Sequence, residues 1–179
     1  MRRINVVGTS GSGKSSTAQR IAATLGYPHV EIDALFWQPD WEGRPDDEFF
    51  PMVTQAASGD RWVIDGNYSR VRPIVWARAD TVVWLDYPLW VIMLQLLHRT
   101  ITRSLTKQTL WSGNRESIAK AFFSRDSILL WALQTYRRRR QQYPLLFEDP
   151  QYSHIKFIRL PSRSARNSWL ENLKDPIEV

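Results

Sequence analysis

The chain has 179 residues and a formal net charge of +6, from 24 Lys and Arg against 18 Asp and Glu. That length fits one domain, large enough to bury most of its apolar surface without a disulfide or metal staple. No cysteine is present, which excludes disulfide frameworks, thiolate zinc sites, iron–sulfur clusters and thiol catalysis, and the three histidines (His29, His98, His154) lie too far apart for a metal-ligand spacing.

Short apolar runs alternate with helical patterns along the chain. The basic start, Met1-Arg2-Arg3, leads into an apolar strand at Ile4–Val7 that stops at Gly8, too soon for a secretory signal. A helix is expected over Lys14–Leu25, ended by Gly26, and then a strand over His29–Ile32. Next come a helix over Pro45–Ala57 and strands over Arg61–Ile64 and Thr81–Leu85. A helix over Leu89–Arg103 follows, then a polar break at 105–115, a long helix from about Glu116 to Gln142, a strand over Ile155–Leu160 and a helix over Ser164–Leu173. Strands that are continuously apolar and alternate with helices predict an α/β chain whose parallel sheet is covered on both faces. No repeat or linker divides it, so residues 1–179 read as one domain. The longest apolar stretch, Tyr87–Leu97, is about half the ~20 residues that span a bilayer. The expected location is the cytoplasm.

The first strand runs into Gly8-Thr9-Ser10-Gly11-Ser12-Gly13-Lys14-Ser15, with Ser16 beginning the helix proper. Spacing and context both match the phosphate-binding GxxxxGK(S/T) loop. Its backbone amides and the helix N-terminus would cradle a nucleotide's phosphates. Lys14 would bridge the outer phosphates and Ser15 would hold Mg²⁺. A GTPase should carry an NKxD-like motif, and none appears; Asp40-Trp41-Glu42-Gly43 fits DxxG only by letters. The class that remains is a small phosphotransferase.

Acidic residues stand where parallel strands should end, the edge at which open α/β sheets bind ligands. Glu31 and Asp33 are two apart, Asp65 follows Trp-Val-Ile, and Asp86 follows Val-Val-Trp-Leu. Glu31 and Asp65 are the candidate Mg²⁺ carboxylates beside Ser15. For a hydroxyl acceptor, Asp33 would serve as base or orienter; for a phosphate acceptor, Arg70 and Arg72 are at hand, just past Asp65-Gly66-Asn67-Tyr68. Asp65, Asn67 and Arg70 are thus candidate acceptor contacts. Phe36, Trp37 and Trp41 could wall that pocket or simply pack.

The basic excess is local and rich in arginine. Nineteen of the 24 basic residues are Arg, and the stretch from Arg99 to Arg140 holds ten basic residues against Glu116 and Asp126. Arg99 and Arg103 share a helix face, and Arg115 closes the polar break, which reads as a lid over residues 104–116. Arginines that close on a moving phosphoryl group would stabilise its charge and exclude water. The run Arg137–Arg140 points all round a helix, as a solvated basic face or as a polyanion patch.

In order, GTSGSGKSS, EIDALFWQPDW, WVIDGNYSRV, VVWLDYP and LLHRTITR resemble the adenylate-kinase-related P-loop kinases over nearly the whole chain. Among them the chain is most similar to the small bacterial proteins labelled topology modulation proteins, through Asp33–Trp37, Asp65–Tyr68 and Trp111–Glu116. The resemblance implies a three-layer P-loop fold with five parallel strands and a small helical lid, with ATP and Mg²⁺. It also implies Arg99 against the adenine, with Arg103 and Arg115 on phosphates. Nucleoside monophosphate kinases usually have DGFPR where this chain has DGNYSR, and the ExD ending of the second strand is more like the shikimate and gluconate kinases. The expected function is transfer of the γ-phosphoryl of ATP to a small-molecule acceptor. The competing expectation is a nucleotide-switched regulator that binds DNA or RNA through the arginine segment.

Overall fold

The computed structural model describes residues 1–106, 109–114 and 128–173. Five strands, β1 (Arg3–Gly8), β2 (His29–Glu31), β3 (Trp62–Asp65), β4 (Thr81–Leu85) and β5 (Lys156–Leu160), form one sheet in the order β2-β3-β1-β4-β5. Every pairing is parallel. The helices are α1 (Lys14–Leu25), α2 (Ile32–Phe36), α3 (Asp46–Ala56), α4 (Arg72–Trp76), α5 (Leu89–Leu105), α6 (Ile128–Glu148) and α7 (Arg163–Glu171).

Alternation along each strand splits the core in two. Ile4, Val6, Val63, Val83 and Leu85 face α1, α5 and α7 through Ile21, Leu25, Ile92 and Leu170. Val7, Trp62, Ile64, Val82 and Trp84 face the other way, onto Phe49 and Val53 of α3 and Val75 and Trp76 of α4. Helix α6 belongs to both layers. Its Tyr136 packs in the first core and its Tyr143 in the second, so the helix passes across the carboxyl end of the sheet. The expected three-layer fold with a five-stranded parallel sheet is the fold observed.

The departures have local causes. Ile32, expected to end the second strand, instead opens α2, with Trp37 N–H bonded to Asp33 O at 3.0 Å. Neither α2 nor α4, five residues each, was expected, because one helical turn is too short to show a 3.6-residue period. Helix α6 runs beyond Gln142, through Pro144, to Glu148. Residues 116–127 of the long helix expected there, and Arg115, lie outside the described residues. Among the described residues no helix is long and apolar enough to cross a membrane.

One buried polar residue ties the layers together. Asn5, in the middle of β1 and 3 % exposed, donates through Nδ2 to the carbonyl of Ile64 at 2.9 Å and accepts from Trp76 Nε1 at 2.9 Å. Asn5→Ala would leave the buried indole N–H without its acceptor, a loss of about 1–3 kcal/mol. Urea unfolding of the two proteins should show a lower midpoint at unchanged slope.

Candidate active site

The loop after β1 is built by close approach. Gly8 faces Leu85 of β4, and a Cβ on it would lie 2.9 Å from the Leu85 carbonyl oxygen and 2.7 Å from Ser12 Oγ. Gly13 caps α1 at φ 86°, a left-handed backbone that favours glycine. Between them Ser12 N–H donates to Thr9 O at 3.0 Å. Ser16 Oγ and Thr17 Oγ1 donate back to Gly13 O at 3.0 and 2.8 Å. Ser10, Gly11 and Ser15 are half-buried around the same turn. Ser12 Oγ is fully buried with no hydrogen-bond partner, as a hydroxyl at the floor of an anion cradle would be.

Lys14 folds back over this loop, its Nζ 3.4 Å from Thr9 O. Burial lowers its pKa to about 8. Asp33 and Asp65 pull it back up, while Arg139 and Arg99 push it further down. An incoming polyanion would favour its charged form.

Strand register gathers the carboxylates. Asp65 stands opposite both Glu31 and Val6. His29 Nε2 lies 3.1 Å from Asp65 Oδ2. Glu31 accepts from Gln19 Nε2 at 3.3 Å and from Trp111 Nε1 at 3.0 Å. One ligand atom from each of His29, Glu31 and Asp65 falls within 4.8 Å of the others. Asp33, in α2, accepts a 2.6 Å hydrogen bond from Tyr68 Oη; burial and this carboxylate push the phenol's pKa well above its usual value. Asp86 departs from the group. It is held by Arg140, Nε to Oδ1 at 2.9 Å, and by Arg159, Nη2 to Oδ2 at 2.6 Å, so its charge is consumed in anchoring α6 and β5.

The basic residues divide into those that turn toward the loop and those that do not. Arg99 of α5 and Arg139 of α6 act electrostatically on Lys14, and Arg139 feels Asp33 and Arg72 as well. Burial lowers the Arg139 pKa, and its Nη1 is fully buried without a hydrogen-bond partner. Arg103 is half-buried one turn beyond Arg99. Arg70 reaches instead to Asp46 of α3 at 2.5 Å, lying over the rings of Phe36 and Phe49. Its neighbour Arg72 covers Trp76 and Tyr143. Asn67 links the parts: Nδ2 donates to Gly8 O at 3.3 Å, and Oδ1 accepts from Tyr143 Oη. The four consecutive arginines of α6 therefore have separate tasks. Arg139 turns inward, Arg140 is paired with Asp86, and Arg137 and Arg138 are exposed.

Residues 110–114 of the expected lid dock on the segment after β2. Ser112 Oγ donates to Trp37 O at 2.7 Å, and Asn114 Nδ2 to Gln38 O at 2.8 Å. Asn114 Oδ1 accepts from Trp41 N at 3.1 Å, and Asn114 is 6 % exposed. Trp37 meets Phe36 and Trp41 edge to face, with centroids 4.8 and 5.5 Å apart. Sequence reasoning missed Tyr68, Arg139 and Asn114 as members of the site. Asn114 had a signal, the Ser-Gly-Asn turn; Arg139 had none, because nothing in the run distinguishes it from its neighbours.

No protein-family model matches the chain. A shikimate kinase of Synechococcus elongatus is 29% identical over 139 residues, covering 65% of this chain and 72% of that protein. Among solved structures, a shikimate kinase from Bacteroides thetaiotaomicron superposes with a TM-score of 0.59 at 15% identity, covering 95% and 94% of the two chains. A gluconokinase from Sinorhizobium meliloti 1021 gives 0.52 at 20% identity, covering 96% and 94%. The solved structures share the fold; with the phosphate cradle in place, the likeness to shikimate kinase supports a P-loop kinase, an ATP-dependent phosphotransferase of a small metabolite with its acceptor unspecified.

Proposed function

We propose that the whole chain is one kinase domain, acting in the cytoplasm, that moves the γ-phosphoryl of ATP to a hydroxyl of an anionic small molecule. The observation that carries this reading is the placement of Asp33, which shares one electrostatic neighbourhood with Lys14 and Arg139 while Tyr68 fixes its orientation. The carboxylate orients the acceptor hydroxyl and receives its proton as the oxygen attacks phosphorus. Lys14, Arg103 and Arg115 neutralise the charge that gathers on the transferring group, and Arg99 contacts the nucleotide. Gly8 to Ser16 hold the remaining phosphates by backbone amides and hydroxyls. Trp37 and Asn67 border the acceptor, and Arg70 guards its outer edge.

Mg²⁺, when bound, neutralises the β- and γ-phosphate oxygens. Ser15, Glu31 and Asp65 would hold it. The hydroxyl and the two carboxylates suit a hard cation that keeps most of its water.

The acceptor class follows from the cations on its side. Arg72 and the inward Arg139 lie on the Asp33 side, where they offer a fixed fork to a carboxylate or phosphate. Two of the similar proteins are named for shikimate and gluconate, both polyhydroxy acids. We place this chain with kinases of such acids and, within them, nearest the topology modulation group through Asp65–Tyr68 and Trp111–Glu116. Nucleic acid has less to support it, since the arginine run offers no common face.

Two outcomes test the reading. In a screen of ATP consumption against hydroxy acids, sugars, nucleosides and nucleotides, a hydroxy acid should give the largest stimulation. With that acceptor, Asp33→Asn should lower turnover at least about a hundredfold, with ATP binding retained; equal turnover would remove Asp33 from the mechanism.

A third outcome concerns pH. Bound phosphates raise the Lys14 pKa from about 8, so nucleotide binding takes up a proton once the free lysine is neutral. Affinity for ATP should therefore fall about tenfold between pH 7 and pH 9, one proton being worth a factor of ten per pH unit. Calorimetry at the two values measures it, and Lys14→Arg should abolish the dependence.

A further inference from the structure

We propose that His29, Glu31 and Asp65 form a binding site for a divalent transition-metal ion of the zinc and cobalt class in the nucleotide-free protein. An imidazole nitrogen and two carboxylate oxygens lie within 4.8 Å of one another. The 3.1 Å between His29 Nε2 and Asp65 Oδ2 is close to the separation of two ligands on one tetrahedral ion at bond lengths of about 2.0–2.2 Å. All three residues sit on paired strands, with His29 opposite Val63 and Glu31 opposite Asp65. Ligands on strands hold their geometry better than ligands on loops.

The charge balance points the same way. Asp65 is 1 % exposed, and His29 is the only hydrogen-bond partner of its carboxylate among the described residues. Glu31 is bonded by two neutral donors, the Gln19 amide and the Trp111 indole. Lys14 acts on Asp65 through space. Among the described residues, two neighbouring carboxylates, one of them buried, thus have no bonded lysine or arginine, an arrangement that a doubly charged ion completes.

The imidazole decides which ion. Carboxylates, carbonyls and water suit magnesium and calcium, whereas imidazole suits zinc and its transition-metal neighbours. Magnesium in the proposed reaction uses the oxygens of Glu31 and Asp65 and leaves His29 aside. A transition ion recruits His29 and draws both carboxylates away from that use. The site stands on these three residues alone and does not depend on the kinase reading.

The test is a Co²⁺ titration of the chelator-treated, nucleotide-free full chain, followed by visible absorption. The expected result is the intense bands of four- or five-coordinate cobalt, saturating at one equivalent and abolished by Zn²⁺. His29→Ala should weaken the ion at least about tenfold, the minimum seen when even an outer partner of a metal ligand is lost, while MgATP still binds. A spectrum that stays that of the hydrated ion overturns the proposal, as does an undiminished signal in His29→Ala. Failure of the wild-type chain to bind MgATP would instead sink the kinase reading and leave the cobalt result standing.

Discussion

Parallel strands can share one functional edge only if they end at one level, and the register of this sheet brings that about. Asp65 closes β3 beside Glu31 at the end of β2 and Val6 of β1, two residues before Gly8 turns the chain into the phosphate loop. The positions of Glu31 and Asp65 are therefore fixed by strand pairing before any side chain rotates. A slip of one residue in β3 would swap Asp65 for a buried apolar neighbour and send Trp62 and Ile64 to the wrong face. The two cores, packed on opposite sides of the same strands, forbid that slip.

Charge is distributed around this edge by the helices. The acidic groups come from strands and from α2, whereas most of the arginines come from α5 and α6. Helix α6 reaches across the sheet end because its Tyr136 and Tyr143, seven residues and two turns apart, each anchor in a different core. Asp86 then fixes its height through Arg140, which leaves the preceding Arg139 turned toward the loop. A buried carboxylate left without its cation is costly, so Asp86, through the half-exposed Arg140, helps hold the helix in place.

What the sequence disclosed follows from what each feature needs. The phosphate loop is local: eight consecutive residues carry both the glycines and the lysine, and strand and helix flank it as expected. The sheet was legible because each strand is a short apolar run bounded by turn residues. Asp33, Glu31 and Asp65 were visible, but Tyr68 and His29 as their partners were not, since both contacts depend on how the chain folds. The histidines looked isolated because a metal spacing counts neighbours along the chain, whereas His29 meets its carboxylate across 36 positions. Arg139 was hidden for a related reason. Its neighbours are chemically identical, and only the two-core anchoring of α6 distinguishes it.

Asp40, Trp41 and Ser112 are the described non-glycine residues with left-handed backbone, at φ 60°, 62° and 55°. All three lie in the two turns that Asn114 joins. Strain of this kind persists only where its surroundings over-determine it, and here each turn supplies much of the other's surroundings. The segment after Asp33 and residues 110–114 therefore brace one another. Loosening either turn would remove hydrogen bonds that hold the other, so the two should order or loosen together.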